Sequence, residues 1–293
     1  MSERTAHPLR HALPLFLLAG LCLSSLDATA KYLVRDYSLL LVVWARYAGQ
    51  MVVVTPFAWQ RAGPGFWRTR KLRVQLLRSL MLVLATLGFF GGLRYLPLAE
   101  ASAITFLAPI FVVLLSWPLL HERATRARWV ASITGFVGII ILLRPGSAVM
   151  HPAIALLIGA ALANALYQLL TRKLLDESPH TTLFYSASVG TLLLSLALPF
   201  VVDVAHLTRL AVPLFVLMGL FAGLGHWCLT HAYLIAPATL LTPFTYLQIL
   251  WATTFGYLIF GQHPDRTSAV GMAIIVASGL SLALWERRRM RLI

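Results

Sequence analysis

An all-α integral membrane protein of ten transmembrane helices is the fold class this sequence predicts, on three observations. Ten apolar runs, each long enough to cross roughly 30 Å of hydrocarbon, take up most of the 293 residues. Hydrophobic residues make up 59% of the chain and the mean hydropathy is +0.80, more apolar surface than one water-soluble domain of this size can bury. The net charge of +14 sits in short links between the runs rather than along one element. It therefore reads as membrane topology and not as a nucleic-acid groove.

The runs fall in order at 13–34, 38–59, 76–95, 99–120, 127–143, 152–171, 181–201, 210–231, 237–260 and 268–286. Polar, basic Met1 to Arg10 precede the first, which ends in Asp27, Lys31 and Arg35 without a small-residue cleavage site, so it reads as a retained helix and not a signal peptide. The fourth and ninth follow their predecessors after very short turns carrying proline, Leu96-Pro97 and Ala236-Pro237, which implies antiparallel neighbours. The fifth is the shortest, and Arg128 and Arg144 at its ends can snorkel to the interfaces. Cys22 and Cys228 both lie in apolar runs and indicate neither a disulfide framework nor a metal site.

Orientation follows from charge. With the N-terminus in the cytoplasm, that side holds most of the basic residues, including Arg61, Arg68, Arg70, Lys71, Arg73, Arg78, Arg123, Arg126, Arg128, Arg172, Lys173 and the Arg287–Arg289 run. The other side holds Lys31, Arg35, Arg94, Arg144, Arg209 and Arg266. The bias puts both termini inside the cell and supports an even number of spans. The halves also look related: Tyr95-Leu96 before the fourth run matches Tyr233-Leu234 before the ninth, and Gly135 to Ile140 resembles Gly271 to Ile275. Five spans per half is odd, so a repeated unit enters the membrane from opposite sides in its two copies. The expected organisation is two inverted five-helix repeats, residues 1–146 and 147–293.

Polar residues inside the runs carry the chemistry, because an unpaired charge at membrane depth is expensive and usually faces a cavity or a partner. Asp27 and Arg46 lie at similar depth on the first two helices at roughly 1.5 Å per residue. Two readings stand: a structural salt bridge, or an outer pathway in which Arg46 recognises a carboxylate or phosphate and Asp27 binds a cation or proton. Lys31, one turn from Asp27, competes for the same carboxylate. Asn164, Tyr167 and Gln168 form a stripe that is either helix-helix glue or a solute-contacting face. His226 and Trp227 are the next candidates, with His226 able to gate by titration. Thr105 with Pro109, and Thr242, Pro243, Tyr246 and Gln248, place helix bends near mid-membrane in both halves, where each proline frees a carbonyl that either accepts from a neighbouring hydroxyl or faces a solute cavity, with cavity-lining helices the leading reading over mere kinks. Trp44 and Tyr47 can stack on a planar solute. Glu100, near the external mouth, caps its helix, pairs with Arg94 or takes part in ion coupling. Gly219 and Gly223 make a small-xxx-small match that reads as a close helix contact.

The run Arg94 to Ile104, continuing through Phe106 to Phe111 and Leu120-His121-Glu122-Arg123, resembles the drug/metabolite transporter superfamily in its ten-helix EamA-type branch. Gly135 to Ile140 closing on Leu143 to Gly146 resembles the same branch, and Ala232-Tyr233 with Pro237-Ala238 looks like the second copy. Phe260-Gly261-Gln262 departs from the pattern, since many members carry an acidic Gly-Glu pair there. The resemblance implies inverted five-helix repeats, a central cavity between them, and movement of small organic solutes such as amino acids, vitamins or cofactors.

No phosphate loop, paired metal-binding histidines or soluble nucleotide-hydrolysing segment is present, so neither an enzyme nor a cofactor-dependent protein is expected. The leading expectation is an alternating-access transporter of the cell inner membrane that exports small organic metabolites such as amino acids. The alternatives are uptake of a vitamin or cofactor-like solute, or a non-transporting scaffold or sensor. Its partners would be a small organic solute, membrane lipid, and a proton or exchange solute; no nucleic acid and no metal are expected.

Overall fold

The computed structural model describes residues 3–122, 124–144, 151–200, 207–236 and 238–290, with side chains from Arg10 onward except 238–239, 242–243, 287 and 289–290. Arg123, Pro145, Gly146, Pro237, and the side chains of Thr242 and Pro243, all singled out above, lie outside the described residues. The helices are α1 (Glu3–Asp36), α2 (Leu39–Ala62), α3 (Leu72–Leu93), α4 (Leu98–Thr105), α5 (Ala108–Leu120), α6 (Arg126–Leu143), α7 (Ile154–Arg172), α8 (Pro179–Ala197), α9 (Ala211–Ile235), α10 (Ala238–Leu241), α11 (Leu247–Phe260) and α12 (Arg266–Met290). Among the described residues, nine helical segments are long and apolar enough to cross a membrane, and Phe244–Phe260 is a shorter apolar helix. The chain is therefore an all-α, multi-pass membrane bundle. Several helices outrun their apolar runs: α1 starts at Glu3, α9 continues to Ile235 and α12 to Met290, because a helix need not stop where the hydrocarbon does.

Two crossings are broken, each beside a proline. Pro109 has no N–H to give the Thr105 carbonyl, so α4 ends there and Phe106 and Leu107 tighten into bonds with Ala103 and Ile104. Pro109 then sits in the first turn of α5, where its missing donor costs nothing. In the ninth crossing, a 3-10 segment over Thr242–Tyr246 separates α10 from α11.

Packing follows small residues. The most extensive pairs are α1 with α9, α6 with α12, α3 with α7, and α2 with both α8 and α9. The next are α3 with α8, α5 with α7, α1 with α11, and α4 with α11. Gly49 of α2 lies directly on Gly219 of α9, and a Cβ on either would overlap the other's backbone. Gly138 of α6 and Gly271 of α12 approach each other's carbonyls in the same way. Such contacts replace the hydrophobic drive that lipid removes. Large apolar side chains such as Val52, Val130, Leu192 and Leu258 face outward, where acyl chains solvate them.

Candidate functional site

A cavity of about 200 Å³ lies at the centre of the bundle. Its polar fringe is Asp27 (α1), Arg46 (α2), Thr86 (α3), Thr105 (α4), Asn164 (α7), His226 (α9) and Gln248 (α11), one residue from each of seven helices. Local periodicity builds the walls. Leu82, Ala85, Thr86, Phe89 and Phe90 form one stripe of α3, and Leu23, Leu26 and Asp27 one stripe of α1.

Arg46 is 5% exposed. Its Nη2 donates to His226 Nε2 at 3.3 Å, and its guanidinium lies 4.4 Å from the Tyr47 ring centroid. A guanidinium only donates, so His226 Nε2 must be the acceptor and the imidazole neutral, with its proton on Nδ1. Arg46 Nη1 is buried and has no protein partner. The ion pairs within 4.0 Å among the described residues are Lys71–Asp176, Arg128–Glu286, Arg144–Asp265 and Arg172–Glu122. Asp27 and Arg46 are not joined in this way, although they face one cavity, and Asp27 lies against Gln248.

Other residues singled out in the sequence lie elsewhere. Lys31 turns from Asp27 and donates to the Leu93 and Leu96 carbonyls at 2.7 and 2.6 Å, because the C-terminal end of α3 offers unpaired acceptors and negative dipole. Tyr47 is fully buried behind the cavity; Thr86 Oγ1 donates to the Leu82 carbonyl, so the Tyr47 hydroxyl donates to Thr86 at 2.9 Å. Trp44 Nε1 donates to Ser195 Oγ of α8. Trp227 packs on His231 and Phe57. Tyr246 stacks on Phe106 with centroids 5.0 Å apart and fills the space a side chain at Gly279 would need. Gln168 is exposed on the outside of α7. Glu100 accepts from Ser268 Oγ at 2.9 Å rather than from Arg94.

Arg78, counted above with the interfacial charges, is 3% exposed and inside the bundle. It donates to Thr171 Oγ1, Ser186 Oγ, the Thr182 carbonyl and the Tyr167 hydroxyl, and lies 4.3 Å from the Tyr167 ring centroid. That bond draws Tyr167 away from the cavity that Asn164 lines.

Two further cavities adjoin. One of about 120 Å³ lies between α1, α9 and α11 and shares Leu23 and Gln248 with the central one; Phe16, Tyr233, Phe244 and Trp251 line it. A larger groove of about 910 Å³ runs between α11 and α12, but Ile249, Leu250, Met272, Val276 and Leu280 make it almost wholly apolar, a surface suited to lipid.

At the face opposite the N-terminus, contacts converge on the α3–α4 turn. Leu98 N–H donates to Gln262 Oε1 at 3.1 Å, and Arg35 lies over the Phe260 ring. Gly261, at φ 62°, gives α11 the left-handed end that brings Gln262 to this position. A neutral amide thus caps the first turn of α4. Arg144 binds Asp265 through both carboxylate oxygens, and Asp265 caps α12 by accepting from Ser268 N–H at 2.8 Å. The Arg144 hydrogen bond, then Ser268, holds the Asp265 pKa down to about 2. A depressed carboxylate pKa gives stability present above its ordinary value and lost only as pH falls toward 2. The ratio of wild-type to Asp265→Asn transport rates is therefore expected to stay constant from about pH 5 to 8, outside that window. A ratio that converges on one within this range would contradict the assignment.

Apolar helices enclosing a small polar cavity define a membrane protein that handles a small solute. The EamA-like transporter family model matches residues 11–144 and again 151–284. The chain belongs to that family and is a small-molecule transporter, not an enzyme. It is 29% identical over 276 residues to the S-adenosylmethionine uptake transporter of Rickettsia prowazekii, covering 94% of this chain and 93% of that one. It is 31% identical over 291 residues to the riboflavin transporter of Vibrio cholerae, covering 97% and 96%. A solved structure described as "Crystal structure of protein" superposes with a TM-score of 0.70 at 19% identity over 96% of this chain and 99% of that one, a likeness of fold alone.

Proposed function

We propose that this chain takes up a cofactor-like solute, one with a planar heteroaromatic ring and a polar arm, across the cell inner membrane by alternating access. The carrying observation is the central cavity, in which a buried guanidinium N–H has no protein partner beside a carboxylate and two amides. The relatives named for uptake of S-adenosylmethionine and for riboflavin transport support the same class. Export of amino acids, the leading expectation from the sequence, draws on the superfamily resemblance alone.

The packing pattern supports the inverted repeat. Exchange of spans one to five for six to ten turns α1–α9 into α7–α3, α2–α9 into α8–α3, and α1–α11 into α7 with α4 and α5; all these pairs are in contact. The α6–α12, α2–α8 and α4–α11 pairs map onto themselves. This favours repeats over residues 1–146 and 147–293 about a central site. The basic bias favours cytoplasmic termini. On this reading α4 and α11 meet in the external half.

Proteoliposomes holding purified protein are expected to accumulate labelled S-adenosylmethionine or riboflavin saturably, and faster when preloaded with the unlabelled compound. Absence of saturable entry for both, with amino acids moving instead, would overturn the reading. An imposed pH gradient adds a test of coupling: accelerated uptake that Asp27→Asn abolishes would make Asp27 the proton carrier.

A further inference from the structure

The central and adjoining cavities differ in chemistry and meet at Leu23 and Gln248. The central one holds two opposite charges that do not pair with each other. Arg46 Nη1 is buried without a partner while Nη2 is pinned by His226, so the fork is held with the Nη1 amino group left over. Asp27 is 9% exposed, lies against the Gln248 amide and, among the described residues, has no cation within 4.0 Å, with Arg46 facing it across the cavity. A buried charge left so is costly unless something else completes it. The adjoining cavity has the opposite character: four aromatic rings line its roughly 120 Å³, a setting for a planar ring.

We infer that the site is bipartite and takes an α-amino acid joined to a planar heteroaromatic ring: the carboxylate on Arg46 Nη1, the ammonium on Asp27, and the ring among Phe16, Tyr233, Phe244 and Trp251. This rests on the cofactor-uptake reading and narrows it. A zwitterionic head satisfies both charges at once and adds no net charge to the cavity. A purely anionic solute satisfies Arg46 but sets its charge against Asp27, and a solute without an anionic group offers Arg46 Nη1 no charged acceptor. Gln248 stands at the junction, where its amide can bond the arm between head and ring.

The test is a binding series on the full chain in lipid nanodiscs, read by titration calorimetry, with S-adenosylmethionine, S-adenosylhomocysteine, 5′-methylthioadenosine and riboflavin. Methylthioadenosine keeps the ring and sugar but lacks the amino acid. It is expected to bind at least about tenfold more weakly than S-adenosylhomocysteine, the scale of one charge-assisted hydrogen bond. Arg46→Gln is expected to remove most of that difference, and Trp251→Leu to weaken all three adenosyl compounds while leaving their ratio intact. Equal binding of methylthioadenosine and S-adenosylhomocysteine by the native protein overturns the inference without any variant. So does an Arg46→Gln loss that falls equally on both. Tight riboflavin binding with no adenosyl compound bound overturns it and leaves the cofactor-uptake reading standing; binding of none of the four overturns both.

Discussion

Arg78→Ala is expected to lower the midpoint of thermal unfolding by roughly 5–10 °C, from the loss of about 3 kcal/mol, a large effect for one residue. The guanidinium makes four hydrogen bonds to side-chain and backbone oxygens on α7 and α8 from its place on α3. The acceptors are prepared for it. Thr171 gives its own hydrogen to the Tyr167 carbonyl and Ser186 gives its own to the Thr182 carbonyl, so the lone pairs of both hydroxyls face Arg78. Truncation leaves these oxygens without a donor and opens a void the length of the side chain. Arg78→Lys keeps the charge but has no planar fork, and is expected to lose about half as much. Unfolding of the purified proteins in one detergent, followed by intrinsic fluorescence, measures this. An Arg78→Ala midpoint within about 1 °C of wild type would show the cage to be dispensable.

Arg78 also marks where sequence reading stops. Long apolar windows reveal the spans, and prolines mark the breaks near Thr105 and Thr242, because both signals are local in the chain. Asp27 and Arg46 stand out as charges in apolar runs for the same reason. Their partners do not. Arg46 meets His226 and Lys31 meets Leu93 only through tertiary packing, and the helical i, i+4 rule offered Lys31 a nearer but wrong partner in Asp27. Arg78 sits close enough to the start of α3 that a count of basic loops absorbs it. The available signal was the pair of hydroxyl ladders, Tyr167 with Thr171 and Thr182 with Ser186, each one helical turn apart and each rich in acceptors. Asn164 and Gln168 show a finer limit. Four residues overshoot one turn by about 40°, so the two share a stripe in sequence while only Asn164 lines the cavity and Gln168 lies exposed.

On the orientation and alternating-access cycle proposed above, Lys31→Met is expected to shift the protein toward the conformer open at the external face. In the present structure Lys31 joins α1 to the Leu93 carbonyl that ends α3 and to the Leu96 carbonyl of the following turn, and Gln262 joins the α11–α12 link to the first N–H of α4, so two distant parts of the chain close on one turn. Under the alternating-access reading this closure must break once per cycle, which confines its worth to a few kcal/mol. Methionine keeps the length of the lysine stem and removes both bonds. At about 1.5 kcal/mol for each charged bond, the open population rises by up to roughly a hundredfold. The readout is a single cysteine in place of Ala99, buried beside this closure, in a chain whose native Cys22 and Cys228 are replaced by serine. A membrane-impermeant maleimide added outside is expected to label it at least about tenfold faster with Lys31→Met than with Lys31. Net uptake is expected to fall, because a conformer held open on one side delays the return step, while exchange between loaded states suffers less. Unchanged labelling together with wild-type uptake would mean that Lys31 only caps α3, and that the external closure depends on the α4–α11 contact and the Arg144–Asp265 pair instead.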